Sequence, residues 1–118
     1  MPQPQPTLGS ICQAIEGRDG ETLAGFYADD AVLRIVDQMH PPSRPQEYKG
    51  REEIAAYFQD VCGRAMTHRT ENGITDGDRL SFTQTCTYPD GKQVFCSATL
   101  QLASGKIARQ TAVQAWDV

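Results

Sequence analysis

The sequence predicts an α+β domain in which a curved antiparallel sheet wraps around three helices. Apolar residues recur at helical spacing in the first half of the chain, whereas alternating, Thr-rich runs separated by turn signals fill the second half. Helices and strands that are segregated in this way favour a layered fold with the helices on one face of the sheet. Because helices fill a concave sheet only partly, we expect a pocket between the two layers.

Chain length and charge limit the kinds of protein this can be. The 118 residues fit a single domain at 7–118, after a Pro- and Gln-rich stretch at 1–6 that we expect to be a flexible tail. A net charge of -4 with scattered basic residues argues against a nucleic-acid partner. The chain lacks both a signal peptide and the roughly 20-residue apolar stretch of a membrane span, so we expect a cytoplasmic protein with no membrane partner.

The cysteines are expected to be reduced. They are Cys12, Cys62, Cys86 and Cys96. None forms a CxxC pair or has metal-type spacing with a histidine, so no metal site is predicted. A disulfide between Cys86 and Cys96 is possible only if the hairpin register places them opposite each other.

Each predicted helix has recognisable ends. The first begins after Thr7, which can cap it, and ends at Gly17. The second is expected to run into a turn at residues 28–31, because the paired aspartates there disfavour helix. The third lies between Gly50 and Gly63, with acidic residues in its first turn.

Strands are predicted by β-branched runs and by alternation. Their expected ranges are 32–36, 67–74, 79–88, 93–102 and 106–116, and the last four form an antiparallel meander. Parity places the most apolar row against the helices: Val94, Cys96, Ala98, Leu100 and Leu102. In the first strand Leu33, Ile35 and Asp37 share one face. The Pro-rich segment 40–45 is predicted to be an irregular loop.

Short motifs in the correct order resemble one known family. They occupy residues 27–31, residues 48–54 and the segment from Gly105 to Asp117, and together they resemble the SnoaL-like branch of the nuclear transport factor 2-like superfamily. The resemblance extends over nearly the whole chain and implies the cone-shaped, cystatin-like form of the fold. That superfamily includes isomerases, cyclases, hydrolases, dehydratases and non-catalytic binders, so the fold alone does not define a reaction.

The resemblance to ketosteroid isomerases is partial. Alignment on residues 28–31 places Ile35 where that family has its catalytic aspartate, and Asp37 lies two residues further along. The family's donor tyrosine falls at Ile11 and its donor aspartate near Ala98, so steroid isomerisation is not expected. The Asp-Arg-Asp set of limonene epoxide hydrolases has no match either. SnoaL-type polyketide cyclases need chiefly one acid or base in an apolar cavity, which keeps a cyclase-like function open.

Asp37 and His68 are the candidate catalytic residues. At a cavity mouth beside apolar residues, Asp37 would be partly desolvated and a stronger base; the alternative is a surface carboxylate that meets water or Arg44. His68 would enter the pocket if Ile74, which has the same parity, faces the core; otherwise it is a strand-end residue bonded to backbone. His40, in the Pro-rich loop, is expected to be exposed.

Candidate ligand-binding residues follow from the isomerase resemblance, which implies that one face of the last strand lines the cavity. That face carries Gln110, Gln114 and Trp116, and Tyr57 and Gln84 are secondary candidates. The opposite row would then be exposed and apolar: Ile107, Thr111, Val113 and Ala115. An apolar row of this kind favours an isologous homodimer.

Two functions therefore stay open. The first is a SnoaL-like enzyme that works on a small hydrophobic molecule as a cofactor-independent isomerase, cyclase or dehydratase, through Asp37 or His68. The second is a non-catalytic ligand-binding or dimerisation module. An enzyme should bring both ionisable residues into one cavity, whereas a binder needs only apolar walls and a few amides.

Overall fold

The computed structural model describes residues 6–118, and in that range a six-stranded curved sheet packs against three helices. The elements in chain order are α1 (Leu8–Glu16), α2 (Gly20–Gly25), β1 (Tyr27–Val36), β2 (Gln46–Lys49), α3 (Arg51–Gly63), β3 (Thr67–Asp76), β4 (Arg79–Thr87), β5 (Gln93–Ala103) and β6 (Lys106–Trp116). Most of the predicted tail at 1–6 lies outside the described residues, and Pro6, which is described, is buried.

The sheet has the strand order β2-β1-β6-β5-β4-β3. Strands β3 to β6 form the predicted antiparallel meander, and the pairing of β2 with β1 is also antiparallel. The pairing of β1 with β6 is parallel, so the prediction of an antiparallel sheet was wrong for these two strands. Parallel neighbours need a long connection, and here α3 and the meander provide it.

Local chemistry explains where the helices begin and end. The Thr7 hydroxyl accepts a hydrogen bond of 3.0 Å from the Ser10 amide, and Gly17 ends α1. At the start of α3, Gly50 has a φ of 88°, a left-handed conformation that favours glycine. The predicted bounds of the first and third helices are thereby confirmed.

The predicted turn at residues 28–31 was wrong, because these residues belong to β1. Helix α2 ends at Gly25, and the register of β1 against β6 shifts between Tyr27 and Val32. This irregularity directs Asp29 and its neighbour to solvent, where Asp29 pairs with Arg51 at 2.6 Å. A bulged strand thus accommodates the paired aspartates without a turn.

Strand irregularities also overturned two predictions from parity. Ile107, expected on the outer face, is fully buried, since a register shift in the β5–β6 pairing turns it toward the helices. Ile74, the residue expected to bring His68 into the core, is 63% exposed. A register shift follows Glu71, and Asn72 has a φ of 58°, so the faces of β3 exchange there.

The core lies between the inner face of the sheet and the helices. The predicted inner row of β5 is buried from Val94 to Leu100, and Leu102 at its end is partly exposed. All four cysteines are free, because the register places Cys86 opposite Val94 rather than opposite another cysteine. No helix in residues 6–118 is both long and apolar enough to cross a bilayer.

Candidate active site

Adjoining cavities lie between the helices and the inner face of the sheet. The outer chamber has a volume of about 250 Å³ and is lined by residues of α3, the strand ends and the loop after β1. The inner chamber measures about 40 Å³ and is walled mainly by apolar side chains, namely Ile11, Ile15, Leu23, Tyr27 and Phe82. Phe58, Val61, His68 and Gln84 line both chambers, so they mark the boundary between them.

His68 lies at this boundary, on the part of β3 that precedes the bulge. It pairs in register with Cys86 of β4, and its Nδ1 is 3.0 Å from the cysteine Sγ. Its Nε2 is buried and has no hydrogen-bond partner within residues 6–118. Burial lowers the pKa of His68, a hydrogen bond with Gln84 partly opposes that effect, and the charge of Arg18 adds to it. The imidazole is therefore neutral at pH values near 7.

Asp37 lines the outer chamber from the loop that follows β1. Its Oδ1 accepts hydrogen bonds from the Met39 amide at 2.9 Å and pairs with Nδ1 of His40 at 2.8 Å. The backbones of Asp37 and His40 also bond each other in both directions. Within residues 6–118 the hydrogen-bond partners of the Asp37 side chain are Met39 and His40 rather than the expected Arg44, and His40 is half-buried rather than exposed. An aspartate that opens a turn commonly bonds the backbone two residues on, which accounts for this arrangement.

Aromatic side chains form one wall of the outer chamber. The rings of Tyr57 from α3 and Tyr48 from β2 are 4.7 Å apart, and the Tyr57 hydroxyl accepts a hydrogen bond of 3.5 Å from Nε2 of Gln114. Burial raises the pKa of Tyr57, and the hydrogen bond from Gln114 only partly offsets it. The phenol stays neutral and keeps an O–H group that can donate.

A polar network surrounds the mouth of the outer chamber. Arg64, just after α3, pairs with Asp60 at 2.5 Å and donates to the Tyr88 hydroxyl at 3.2 Å. The Tyr88 ring is 6.3 Å from that of Trp116, whose Nε1 donates to Oε1 of Gln114 at 3.3 Å. In the described part of the chain, no group of three or more His, Cys, Asp or Glu side chains is placed to hold a metal ion.

The outer chamber brings most of the predicted site residues together. Its lining includes Asp37, Tyr57, His68, Gln84, Gln114 and Trp116. Gln110 is separate: it lines the inner chamber, and its Oε1 accepts a hydrogen bond from the buried Tyr27 hydroxyl. Burial raises the pKa of Tyr27, so this pair is a neutral hydrogen bond beneath the site.

Sequence reasoning missed several residues of the mouth: Tyr48, Asp60, Arg64 and Tyr88. Strand β2 is only four residues long and follows a Pro-rich loop, so its alternation of side chains was too short to predict a strand. Asp60 and Arg64 have the four-residue spacing of helical partners, a signal that could have identified them. Tyr88 has the same parity as the inward-facing Gln84, which also pointed to the cavity.

The positions that the sequence resemblance aligns with the catalytic residues of ketosteroid isomerases are apolar here. Ile11, Ile35 and Ala98 are all buried core residues. None of them can donate a hydrogen bond from its side chain or transfer a proton. Any chemistry in this cavity must therefore come from other side chains.

Comparison with known proteins gives the family. The model of the SnoaL-like domain matches residues 10–110. This chain belongs to the SnoaL-like family. Similar solved structures include a nuclear transport factor 2-like protein of unknown function from Burkholderia xenovorans, with a TM-score of 0.78 and 17% identity over 94% of this SnoaL-like chain and 81% of that chain.

Two further similar structures have named activities of their own. A putative ketosteroid isomerase from Kribbella flavida has a TM-score of 0.72 and 19% identity over 94% of this SnoaL-like chain and 76% of its own. A putative polyketide cyclase from Sinorhizobium meliloti has a TM-score of 0.66 and 18% identity over 91% and 94% of the two chains. At these identities the similarity shows the fold.

One curated relative matches part of the SnoaL-like chain. It is a tRNA N6-adenosine threonylcarbamoyltransferase from Microcystis aeruginosa, 36% identical in a 69-residue alignment that covers 52% of this chain. The match spans only 19% of that protein.

Proposed function

We propose that this SnoaL-like protein is a cofactor-independent enzyme that moves a proton on a small hydrophobic carbonyl compound, with His68 as the base. The observation that carries the proposal is the state of this imidazole, which is neutral, partly desolvated and unpaired at Nε2 within the described residues. A general base works best when its neutral form is populated near the operating pH and its lone pair is free. His68 meets both conditions at the boundary between the chambers.

The size of the cavity supports a small substrate. At about 30 Å³ per liquid water molecule, the outer chamber of about 250 Å³ corresponds to roughly eight waters. A compound of one or two rings suits this space better than a four-ring steroid does. The inner chamber of about 40 Å³ can take a substituent no larger than a methyl or ethyl group.

The proposed step is removal of a proton from the carbon beside the carbonyl. The C–H bonding pair becomes the enolate, the proton moves to Nε2 of His68, and the developing oxyanion accepts a hydrogen bond from the Tyr57 hydroxyl. Tyr57 thereby supplies a donor that the family positions Ile11 and Ala98 lack. Isomerisation, aldol cyclisation and dehydration can each begin with this enolisation. Asp37 is the second candidate base, although its Oδ1 is already engaged by two hydrogen bonds.

Substrate binding must uncover the reactive atom. Nε2 of His68 is inaccessible to solvent, and burial without a partner costs about 1–3 kcal/mol for a polar group. A rotation of His68, or of Phe58 and Val61 beside it, would expose the atom to a ligand. The unsatisfied nitrogen therefore favours a ligand that presents a hydrogen to it.

The test is exchange of the protons beside the carbonyl of small ring ketones in D₂O, followed by proton NMR. Indanone and β-tetralone fit the size limit, and a steroid ketone serves as an oversized comparison. We expect exchange above the buffer rate with the wild type, a fall to the buffer rate with His68→Ala, and a partial loss of about ten- to a hundredfold with Tyr57→Phe, because one hydrogen bond to a developing charge contributes about 1.5–3 kcal/mol. His40→Ala is the matched control, since it removes the other histidine of the chain and should retain exchange. Equal rates for wild type and His68→Ala would refute the enzyme proposal.

The alternative is a non-catalytic binding module. It is favoured by one observation, the burial of apolar residues at all three positions that carry isomerase chemistry. The same NMR samples distinguish the two functions. If the ketone signals broaden on binding while their exchange rate stays at the level of His68→Ala, the protein binds these molecules without transforming them.

We further propose that the outer face of the sheet forms an isologous homodimer. Phe95 is 49% exposed and Val113 52% exposed, and their register partners Ala115 and Ser97 continue a face of small side chains. Exposed apolar residues gathered on one face of neighbouring strands are typical of a protein interface. Sedimentation velocity should show a dimer for the wild type and a monomer for Val113→Lys, whereas the exposed loop variant Met39→Lys should stay dimeric. A monomeric wild type at all concentrations would contradict the proposal.

A further inference from the structure

A chain of side-chain contacts connects His68 to the neighbouring strand. Cys86 lies directly opposite His68, with its Sγ 3.0 Å from the imidazole Nδ1. The same Sγ is 3.5 Å from Oε1 of Gln84, two residues along β4 on the same face. All three side chains line the outer chamber. The contacts thus run from the proposed base into the strand that supports it.

The direction of these hydrogen bonds follows from the donors available. Oε1 of Gln84 can only accept, so its 3.5 Å contact with Sγ of Cys86 is a hydrogen bond that the thiol donates. Burial raises the pKa of Cys86 to about 11, so this thiol keeps its one hydrogen. That hydrogen is donated to Gln84, which leaves Sγ as an acceptor toward His68.

The protonation of the imidazole is then determined. Because Sγ of Cys86 accepts, Nδ1 of His68 must carry a hydrogen and donate it. A neutral imidazole has one N–H group, so its other nitrogen, Nε2, holds a lone pair. This nitrogen is the one that has no partner within residues 6–118.

We propose that Cys86 and Gln84 are positioning residues that hold neutral His68 in the Nδ1–H tautomer, which leaves a lone pair on Nε2. The proposal rests on the proposed function only for the use of that lone pair. The tautomer itself is a property of the unliganded protein and can be measured without a substrate. A hydrogen bond at the far nitrogen is a common means of fixing a histidine tautomer, and here a thiol would serve as the acceptor.

The experiment is long-range proton–nitrogen NMR of isotope-labelled full-length protein, at a pH above the titration range of histidine. We expect the wild-type His68 pattern to show Nδ1–H. Cys86→Ser should retain it, because a hydroxyl also donates and accepts, whereas Cys86→Ala should shift the ratio of the two tautomers by about two- to tenfold, the equivalent of one hydrogen bond. Gln84→Met should shift it furthest, since the thiol hydrogen is then released to donate to Nδ1.

His40 is the internal control for these spectra. Its Nδ1 contacts Asp37 and neither of the altered side chains, so its pattern should be the same in every variant and reports that the fold is intact. An Nε2–H pattern for wild-type His68, or an unchanged ratio in both Cys86→Ala and Gln84→Met, would overturn the proposal. If Cys86→Ala fails to fold, Gln84→Met decides alone.

Ketone exchange measured on the same variants separates the two proposals. When the wild type exchanges ketone protons, the rate should fall in the variants in proportion to the loss of the Nδ1–H tautomer, and Cys86→Ser should recover it. When the wild type has the Nδ1–H tautomer but produces no exchange, the positioning proposal stands and the proposed function fails.

Discussion

The two histidines of the chain show how differently the interior and the mouth of the site are built. His68 lies on a paired strand at the boundary of the chambers, where burial lowers its pKa and Nε2 has no partner in the described residues. His40 lies in a loop and is engaged by Asp37 through both side chain and backbone. The interior keeps an imidazole nitrogen unsatisfied, whereas the mouth satisfies its polar groups locally.

This contrast separates a structural role from a chemical one. Asp37 and His40 bond each other within one turn, so their contacts can be explained by formation of the loop alone. Folding gains nothing from the unpaired Nε2 of His68, because leaving a buried polar atom unsatisfied is unfavourable. The interior is therefore where the structure departs from what stability alone would favour, and functional sites commonly show this departure.

The interior and the loop at the mouth should differ most in how much a side-chain truncation lowers the free energy of unfolding. Ile54 of α3 is fully buried in the core, whereas Met39 in the loop after β1 is 81% exposed. We expect Ile54→Ala to reduce the free energy of unfolding by about 2–5 kcal/mol, because it removes buried methyl groups and leaves a cavity. Met39→Ala should change it by no more than about 0.5 kcal/mol. Urea denaturation measures both, and similar losses would mean that the loop packs as tightly as the core.

The second-largest loss in the free energy of unfolding is expected at Tyr27, the buried tyrosine beneath the site. Tyr27→Phe leaves Oε1 of Gln110 without its donor in a buried position, and we expect a loss of about 1–3 kcal/mol. Tyr48→Phe at the mouth is the matched control. Its hydroxyl accepts from Gln46 at 2.6 Å but is partly exposed, so water can replace it and the loss should be below about 1 kcal/mol. If Tyr27→Phe and Tyr48→Phe lose the same free energy of unfolding in denaturant, the proposed contrast between the interior and the mouth is wrong.

The difference between regions also explains what the sequence could predict about the fold. Thr7 and Gly17 define α1 by cap chemistry that acts within one turn, and the strands of the meander follow from alternation. Parity failed at Ile74 and Ile107, because each is near a strand irregularity that exchanges the two faces. Such irregularities depend on the neighbouring strand, and a single segment of sequence does not reveal them.

The same reasoning applies to the site. The isomerase resemblance implied that Gln114 faces the cavity, Gln84 was a secondary candidate on an unbroken strand segment, and both line the outer chamber. His68 also lines it, although the stated reason, an inward Ile74, was wrong. The contact between His68 and Cys86 depends on the register of two strands, which alternation alone does not define. Local pattern thus predicts the face of a residue, and pairing decides its partners.

A smaller effect should follow from loosening the loop at the mouth. Asp37→Ala removes the acceptor for the Met39 amide and for His40, while both donors can turn to water. We expect a loss of about 0.5–1.5 kcal/mol in the free energy of unfolding, the usual net value of a hydrogen bond. Asp37→Asn keeps an acceptor oxygen and should lose less. A loss of several kcal/mol would show that the loop contributes to the core.

The smallest effect should be a pH dependence that belongs to His68. Burial lowers its folded-state pKa below the unfolded value of about 6.5. As the pH falls through the unfolded pKa toward the folded one, the unfolded chain binds a proton before the folded chain does, so stability is lost in that window and is constant above it. His68→Gln cannot titrate, and the difference in unfolding free energy between wild type and this variant should therefore decline from neutral pH downward. Because His68 is only half-buried, solvent limits the size of the decline. A difference that stays flat across the window would mean that water reaches the imidazole as freely as it does in the unfolded chain, and the interior would then hold no desolvated base.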